Sequence, residues 1–343
     1  MAFSGTVPAD DDDPQSRFAS AKVLVAGGCG LIGSWLAARM VEWGAAVTIV
    51  DSLDPRFGGN PRNIARIRDH ANLVIADIRD ANVVERLVRH KDYIFNVAGQ
   101  SGHVGSMSDP ILDLEINAKA SLTLLESCRK FNADVKIVFA STRQVYGVPS
   151  YLPVDEVHPL DPVDINGINK LAAERYHLLF SKLYGLRVAI LRMTNTYGAG
   201  MRIKDARQMF LGIWIRRVLE DAAFSVFGDG TQLRDFNHVA DVVDAMARCA
   251  ASARTNGQIY NLGGDSGISL TGLADLLVAV AGRGRYSFVP FPAEQERIDI
   301  GSYVGNYLKI KEAVGWRPGV SLDVGITDTL EYYSKFGGHY LDG

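Results

Sequence analysis

The stretch Lys22-Val-Leu-Val-Ala-Gly-Gly-Cys-Gly-Leu-Ile-Gly33 contains, in order, a strand, a glycine-rich turn and the start of a helix. Its first five residues have the pattern of a buried strand, and apolar residues recur at helical spacing over 34–43. The glycines at 27, 30 and 33 serve a tight turn, the approach of a pyrophosphate and helix packing, while free helix amides bind the phosphates. The stretch therefore predicts a dinucleotide site formed by Gly27, Gly30, Leu31, Ile32 and Gly33.

A second apolar run, Ala46-Val-Thr-Ile-Val50, ends at Asp51, eighteen residues after Gly33. A carboxylate at the end of this strand accepts hydrogen bonds from both ribose hydroxyls and repels a 2′-phosphate. The sequence therefore predicts NAD, rather than NADP, as the cofactor.

The composition of the 343 residues, 47% hydrophobic and 22% charged, is typical of a globular enzyme with one large or two modest domains. A net charge of −3 gives no support to nucleic-acid binding or to a polybasic membrane anchor. Three scattered cysteines indicate free thiols in a reducing cytoplasm rather than disulfides or a metal site.

No apolar run could span a bilayer, and the N-terminal residues lack a secretory pattern. Residues 1–18 are expected to form a disordered acidic tail.

Runs with strand character alternate with helical runs from residue 22 to about residue 191. This alternation predicts an α/β fold with a doubly wound parallel sheet covered on both faces. We expect a Rossmann-type NAD-binding domain at 19–195, to which residues 236–262 return. The elements beyond are shorter, which predicts a smaller second domain made of residues 196–235 and 263–343.

Residues that follow the third and fourth strands extend the expected cofactor site. Asp77 and Ile78 follow the third strand, where Asp77 either accepts from the adenine amino group or has only a structural role. Asp80 is expected to cap the next helix. Small residues after the fourth strand, Ala98-Gly-Gln100, allow the backbone to run beside the cofactor.

Several further motifs follow in one order along the chain. They are Asp77-x-x-Asp80, Asn96-Val-Ala-Gly-Gln100, Ser141-Thr-x-x-Val-Tyr-Gly147, Leu191-Arg-x-x-Asn-x-Tyr-Gly198, Gln232-Leu-Arg-Asp-Phe236 and Asn261-Leu-Gly-Gly264. With the glycine turn, Asp51 and Lys170, they resemble the extended short-chain dehydrogenase/reductase family of nucleotide-sugar epimerases and dehydratases, including enzymes like UDP-glucose 4-epimerase. The resemblance runs from about residue 20 to 340. It implies that the second domain binds a nucleoside-diphosphate sugar.

In that family a Ser or Thr, a Tyr and a Lys carry the chemistry, and the tyrosinate takes a proton from a sugar hydroxyl while hydride leaves for NAD⁺. The resemblance assigns the hydroxyl role to Thr142 and the lysine role, which includes holding the nicotinamide ribose, to Lys170. The tyrosine should stand four residues before the lysine, and that residue is Asn166. An amide neither ionises near neutral pH nor accepts a proton usefully. Because Lys170, its helix and the substrate motifs persist around Asn166, we favour a different base over lost activity.

The sequence offers several candidates for that base. His103 follows the fourth strand, and histidine is the side chain that titrates near neutrality, although a surface or helix-capping role is open. Tyr146 matches a family tyrosine that is usually structural, and Lys170 could act itself. Asp164 is expected to be a solvated loop carboxylate.

The resemblance also implies residues for the sugar nucleotide. Asn195 resembles an Asn that bonds a diphosphate oxygen, and Arg234 resembles an Arg that neutralises the diphosphate. Arg297, before Asp299, is the nearest candidate for a second arginine. Two residues remain ambiguous: Phe227 packs either on the nucleotide base or in the core, and Arg207 is either a phosphate ligand or a solvated helix charge.

These residues favour an NAD-dependent epimerase that acts on a nucleoside-diphosphate sugar, a UDP-sugar in our expectation, at C4 through a transient keto sugar. Family 4,6-dehydratases follow their Thr with Asp-Glu, whereas Arg143 and Gln144 stand here, which disfavours that form of dehydration. The alternatives are an atypical dehydratase of antibiotic or glycan sugar synthesis and a non-catalytic binder of NAD and sugar nucleotide. The helices expected at 111–131 and 167–184 are too apolar for a single buried face, and the resemblance implies a homodimer that pairs them.

Overall fold

The computed structural model describes residues 13–341. Over this range the strands are β1 (Lys22–Ala26), β2 (Ala46–Asp51), β3 (Ala71–Ile75), β4 (Tyr93–Asn96), β5 (Lys136–Thr142), β6 (Arg187–Met193), β7 (Asn195–Tyr197), β8 (Ala223–Phe227), β9 (Leu233–Arg234), β10 (Phe236–His238), β11 (Gln258–Asn261), β12 (Ile268–Ser269) and β13 (Arg285–Val289). The α-helices are α1 (Pro14–Phe18), α2 (Leu31–Glu42), α3 (Ala81–Leu87), α4 (His103–Ser108), α5 (Pro110–Asp113), α6 (Ala120–Phe131), α7 (Ile165–Tyr184), α8 (Phe210–Leu219), α9 (Val239–Ala251), α10 (Leu270–Ala281), α11 (Ala293–Glu296), α12 (Leu308–Val314) and α13 (Leu322–Phe336).

Seven parallel strands form the central sheet in the order β11-β6-β5-β4-β1-β2-β3. Ala26 pairs with both Val50 and Asn96, so β1, β2 and β4 end level with one another. The carboxyl ends of parallel strands form the edge at which α/β proteins bind ligands. The predicted doubly wound parallel sheet is confirmed.

The near-continuous apolar character of the strands follows from helices on both faces of the sheet. On one face, Val23 and Val25 belong to the core shared with Leu36 of α2 and Met246 of α9. On the other face, the core is shared with α3, α6 and α7 and contains Leu24, Ala26, Val84, Leu125 and Phe180. α9 and β11 therefore return to this sheet after the chain has left it.

A separate core holds the smaller elements together. α8, α10 and α13 contribute Trp214, Leu273 and Leu330 to it, and the pair formed by β8 and β13 contributes Phe224. Ile310 and Trp316, in contrast, pack in the core under the central sheet. Residues 263–341 thus contribute to both cores.

The predicted helix at 111–131 is built from three consecutive pieces. α5 continues into a π-helical turn at Leu114–Lys119 and then into α6. π turns inside helices are rare and occur often at functional sites. Here the turn lies between Asp113 and Ala120, and both Asp113 and Asn117 are buried.

The expectation of a disordered tail through residue 18 is wrong for Pro14–Phe18, which form α1. Asp13 caps this helix by accepting from the Gln15 amide, and Phe18 is fully buried. The Phe18 ring centroid lies 4.6 Å from that of Tyr93 and 5.7 Å from that of Trp43. The apolar Phe18 therefore anchors α1 on the core, and the acidic residues 1–12 lie outside the described part of the chain.

Candidate active site

A cleft of about 310 Å³ opens at the carboxyl ends of the central strands. It is lined by each residue predicted to bind the cofactor, namely Gly27, Gly30, Leu31, Ile32, Gly33, Asp51, Asp77, Ile78, Ala98, Gln100 and Lys170. It is also lined by Thr142, Asn166 and His103. The structure therefore brings these separate motifs to one place.

The glycine turn is shaped for a phosphate group. Gly27 has φ +80°, and a Cβ at Gly33 would lie 2.1 Å from the Gly27 carbonyl oxygen. A Cβ at Gly30 would have only the Gly27 oxygen, 3.4 Å away, as a neighbour, because Gly30 faces the cleft. No side chain caps the N-terminus of α2, so its first amides are left for an anion. These features fit the pyrophosphate of a dinucleotide.

Asp51 ends β2 and is 9% exposed. Its Oδ2 accepts from the Cys29 amide and its Oδ1 from the Leu53 amide, both at 2.9 Å. Burial raises the pKa of Asp51, while these two amide hydrogen bonds oppose the shift. The carboxylate is thus fixed in the wall of the cleft, where it fits a ribose.

Two acidic residues after β3 have different surroundings. Asp77 lines the cleft and accepts from the Arg79 guanidinium at 2.9 and 2.6 Å. Asp80 accepts from the Asn82 amide at 2.9 Å and caps α3, as expected. Asp77 therefore binds a structural partner, Arg79, and also lines the cleft.

Thr142 and Lys170 meet beside this cleft. The Thr142 hydroxyl oxygen accepts from the Gln144 amide at 3.2 Å, which leaves its proton free for another acceptor. Lys170 is 8% exposed, and its Nζ donates to the Ala140 carbonyl at 3.1 Å. Burial lowers the pKa of Lys170 to about 8 although Asp113 and Glu174 favour its charged form.

Asn166 is 2% exposed and has fixed hydrogen bonds. Its Nδ2 donates to the Gln100 carbonyl at 2.7 Å and to Asp113 Oδ2 at 3.2 Å. The other oxygen of Asp113 accepts from Asn169 Nδ2 at 2.8 Å. Asn166 therefore links α7 to a buried carboxylate on α5.

Asp164 is not the solvated loop carboxylate that the sequence led us to expect, because it is only 2% exposed. Its Oδ1 caps α7 by accepting from the Gly167 amide at 2.6 Å, and its Oδ2 accepts from Gln144 Nε2 at 2.8 Å. His103 Nδ1 lies 2.9 Å from the same Oδ2. A loop position next to the Asn166 motif was the available signal, but spacing alone does not show burial.

Tyr146 lies behind the site. It is not one of the residues that line the cleft, nor does it line the second, larger cavity that adjoins the cleft. Its hydroxyl donates to Asn261 Oδ1 at 2.6 Å and accepts from Arg192 Nη1 at 2.8 Å. Burial raises the pKa of Tyr146 to about 12 despite the nearby Arg192. These contacts give Tyr146 a structural position and no path to a substrate.

A second cavity of about 920 Å³ adjoins the cofactor cleft and contains most of the predicted substrate residues. Asn195, Arg207, Phe227 and Arg234 line it. The Phe227 ring centroid lies 5.5 Å from that of Phe291, and the Arg207 side chain is 62% exposed and pairs with Asp205 at 3.3 Å. Arg234 is 6% exposed and lies 2.8 Å from Asp299.

Arg297, the candidate for a second diphosphate arginine, is exposed and is not among the residues that line this cavity, whereas its neighbours Ile298 and Asp299 are. Sequence reasoning did not identify Arg143 as a candidate for the site. Arg143 lines both cavities, donates to Asn195 Oδ1 at 3.3 Å, and has a buried Nη1 with no hydrogen-bond partner. Its place directly after Thr142 was the signal that could have identified it.

The parallel sheet, the uncapped glycine turn and the acidic strand end together define a dinucleotide-binding enzyme domain. The chain belongs to the NAD dependent epimerase/dehydratase family, whose profile matches residues 23–263. It is thus an NAD-dependent enzyme of the nucleotide-sugar epimerases and dehydratases.

Individual relatives cover nearly the whole chain. A UDP-glucose 4-epimerase from Mycolicibacterium smegmatis is 31% identical over 320 residues, which are 91% of this chain and 98% of that protein. The structure of a UDP-glucose 4-epimerase from Thermotoga maritima with UDP-glucose is 30% identical, with a TM-score of 0.85 over 92% of this chain and 99% of that one. A dTDP-glucose 4,6-dehydratase from Streptomyces venezuelae with NAD bound is 26% identical, with a TM-score of 0.85 over 92% and 98% of the two chains.

Within residues 13–341, no group of three or more His, Cys, Asp or Glu side chains is arranged to hold a metal ion. No helix in that range is both long and apolar enough to cross a bilayer. The three cysteines are buried and unpaired.

The position of Asp51 predicts cofactor selectivity. A ribose 2′-phosphate would meet the fixed carboxylate, so calorimetric titration should show NAD⁺ bound at least tenfold tighter than NADP⁺, a gap of about 1.4 kcal/mol. The substitution Asp51→Asn should narrow the gap, whereas Asp69→Asn, at an exposed position, should leave it unchanged. Equal affinities of the wild-type protein for the two cofactors would contradict the assignment.

Proposed function

We propose that the chain is an NAD-dependent epimerase of a nucleoside-diphosphate sugar, a UDP-sugar by its relatives, and that it acts at C4 through a transient keto sugar. One observation carries the proposal: the cofactor cleft and the larger cavity share a wall. Gln100, His103, Arg143 and Asn195 line both. A sugar in the larger cavity would therefore reach the part of the cleft that holds Thr142 and Lys170.

The residues of this wall have complementary roles in the proposed reaction. When bound, NAD supplies a reversible acceptor for the hydride of a sugar carbon. Lys170 Nζ uses one proton for the Ala140 carbonyl, which leaves its other protons to hold a ribose hydroxyl. The free hydroxyl proton of Thr142 can be donated to the reacting sugar oxygen, which stabilises charge as the carbonyl forms.

The diphosphate would lie against the guanidinium groups of the larger cavity. Arg234 and Arg143 lie close together. Burial, which is the larger cause, and the positive charge of Arg143 lower the pKa of Arg234 to about 10. Two neighbouring cations in a buried cavity favour a ligand with more than one negative charge. Asn195 stands beside them, with its Nδ2 donating to the Asp235 carbonyl at 2.9 Å.

The environment after Thr142 supports epimerisation over 4,6-dehydration. Gln144 is 4% exposed and its amide is held by Asp164, while Arg143 carries a permanent charge. Neither can exchange a proton with a C5–C6 unit. Epimerisation needs only one acid/base group beside reversible hydride transfer.

We infer that Asn166 occupies the place of the family tyrosine, one helical turn before Lys170 on α7. Its Nδ2 is bound to Gln100 and Asp113, so the side chain has a structural task there. The proposal therefore requires a base from another element of the site.

The experiment that tests this function is a single-turnover reaction of the NAD-loaded protein with UDP-glucose and with UDP-galactose. We expect NADH absorbance to rise and fall, and the two sugars to reach one equilibrium mixture, measured by chromatography. A deoxy keto sugar as the product would establish the dehydratase instead. Binding of both UDP-sugars with no NADH and no product would establish a non-catalytic binder.

Arg234 and Arg297 form a matched pair of variants for the substrate site. Because charge-assisted hydrogen bonds contribute about 1.5–3 kcal/mol, Arg234→Gln should weaken UDP binding by about tenfold to more than a hundredfold. Arg297→Gln, at the exposed position, should change the dissociation constant by less than about twofold. Calorimetric titration of each variant, with thermal unfolding as a folding check, measures this. Similar losses in both variants would contradict the placement of the diphosphate.

We also propose a homodimer that pairs two long helical segments of each chain. Exposed apolar side chains lie on α5, on the π turn and on α7: Ile111 is 66% exposed, Leu114 45%, Ile168 48%, Leu179 49% and Leu183 59%. A cluster of this kind on neighbouring helices is typical of an interface. A second copy of this chain would cover these side chains across a two-fold axis.

Light scattering should therefore give twice the 37.4 kDa mass of the chain at micromolar concentration. The double variant Ile111→Glu, Leu183→Glu should give a monomer because it buries charge in the interface. Val324→Glu, which alters an exposed apolar residue of α13, should leave the dimer intact. A wild-type monomer, or a double variant that still dimerises, would overturn this proposal.

A further inference from the structure

We propose that His103 is the acid/base group for the sugar hydroxyl and that Asp164 is its positioning residue. The two form a dyad that exchanges the proton with the sugar hydroxyl in place of the missing tyrosine. The inference rests on the proposed function, since it names the group that exchanges a proton with the sugar in that reaction.

The location of His103 fits this role. It is the first residue of α4 and lines both the cofactor cleft and the larger cavity. Its side chain is 33% exposed, while its Nδ1 is buried and lies 2.9 Å from Asp164 Oδ2 without the alignment of a hydrogen bond. Because Nδ1 is buried, Nε2 is the ring nitrogen left for a ligand at the wall between the two cavities.

Asp164 is held in a fixed position behind the ring. One oxygen caps α7 at the Gly167 amide, and the other accepts from Gln144 Nε2. Burial opposes ionisation, but contact with His103 and the hydrogen bonds from Gln144 and Gly167 outweigh it and lower the pKa of Asp164. Of the two neutral tautomers of the ring, a carboxylate next to Nδ1 favours the one with the proton on Nδ1 and the lone pair on Nε2.

The other ionisable groups at the site are used elsewhere. The Tyr146 hydroxyl is bound by Arg192 and Asn261 behind the site. Both oxygens of the buried Asp113 accept from the amides of Asn166 and Asn169. Lys170 is placed for the ribose, with Nζ bonded to the Ala140 carbonyl. His103 combines a partly exposed ring with a fixed anion behind it.

The proton balance of the proposed step is simple. The sugar O–H bond breaks and its proton forms a new N–H bond at His103 Nε2. The C=O bond forms at the same carbon, whose hydride would pass to NAD⁺ when that cofactor is bound. The positive charge on the ring is compensated by Asp164, so the dyad as a whole becomes neutral. When hydride returns to the other face of the keto sugar, the sugar oxygen takes the proton back from Nε2.

The substitution Asp164→Asn separates positioning from folding. The oxygen of the introduced amide can still cap the Gly167 amide, and Gln144 Oε1, buried without a partner, can accept from its NH₂ group. The same NH₂ group would face Nδ1, which moves the ring proton to Nε2 and removes the lone pair. Asp80→Asn, an exposed N-cap on α3, is the matched control.

We expect kcat to fall by about 10²–10⁴ in His103→Ala and in Asp164→Asn, the usual contribution of general acid/base catalysis. Free imidazole should restore part of the activity of His103→Ala but none to Asp164→Asn. Dissociation constants for NAD and UDP should stay within about twofold of the wild type in both. Asp80→Asn and His70→Ala, which alter exposed residues, should retain full activity.

A readout independent of turnover is the NMR spectrum of ring nitrogens in protein with isotope-labelled histidine, with the His103 signals identified by their loss in His103→Ala. We expect the Nδ1–H tautomer in the wild type and the Nε2–H tautomer in Asp164→Asn. Full activity of His103→Ala, or an unchanged tautomer in Asp164→Asn, would overturn the dyad while the epimerase proposal stands. A wild-type protein that converts no sugar nucleotide would overturn both.

Discussion

The buried carboxylate of Asp164 connects three parts of the molecule. It begins α7 at the Gly167 amide, it holds Gln144 in the loop after β5, and it lies against His103 at the start of α4. Because α7 carries Asn166 and Lys170 in its first turns, the same cap also sets their position in the cleft. An N-cap contributes about 0.5–2 kcal/mol to stability, but here the larger consequence is the alignment of separate elements at one site.

A second buried network makes an amide suitable at position 166. Asp113 lies at the start of the π turn and receives one hydrogen bond from Asn166 and another from Asn169. A buried carboxylate without such donors would be costly, so the two amides allow it to remain close to Lys170. Asn166 therefore has a stabilising role that a phenol, with its single proton, would fill less well.

The sequence was sufficient to predict the parts of the molecule that depend on local pattern. The parallel sheet followed from the alternation of strands and helices, and the cofactor cleft followed from the glycine spacing and Asp51, since each lies within one βαβ unit. Contacts between distant segments could not be read in this way. Asp164 and His103 are sixty-one residues apart, and Arg143 comes near Arg234 only after folding. Arg297 was chosen for its place before Asp299, although its spacing departs from the family pattern, and its position is exposed. The burial of Phe18 was not predicted, because the acidic residues that precede it indicated a disordered tail.

In the proposed reaction, the sugar hydroxyl faces His103 rather than Asn166. A crystal structure of the protein with NAD and a UDP-sugar bound tests this most directly. With His103 as the acid/base group, we expect its Nε2 within about 3.2 Å of the hydroxyl on the carbon nearest the nicotinamide, with Nδ1 still against Asp164. A hydroxyl bonded to Asn166 or to Lys170, with the His103 ring turned away from the sugar, would contradict it.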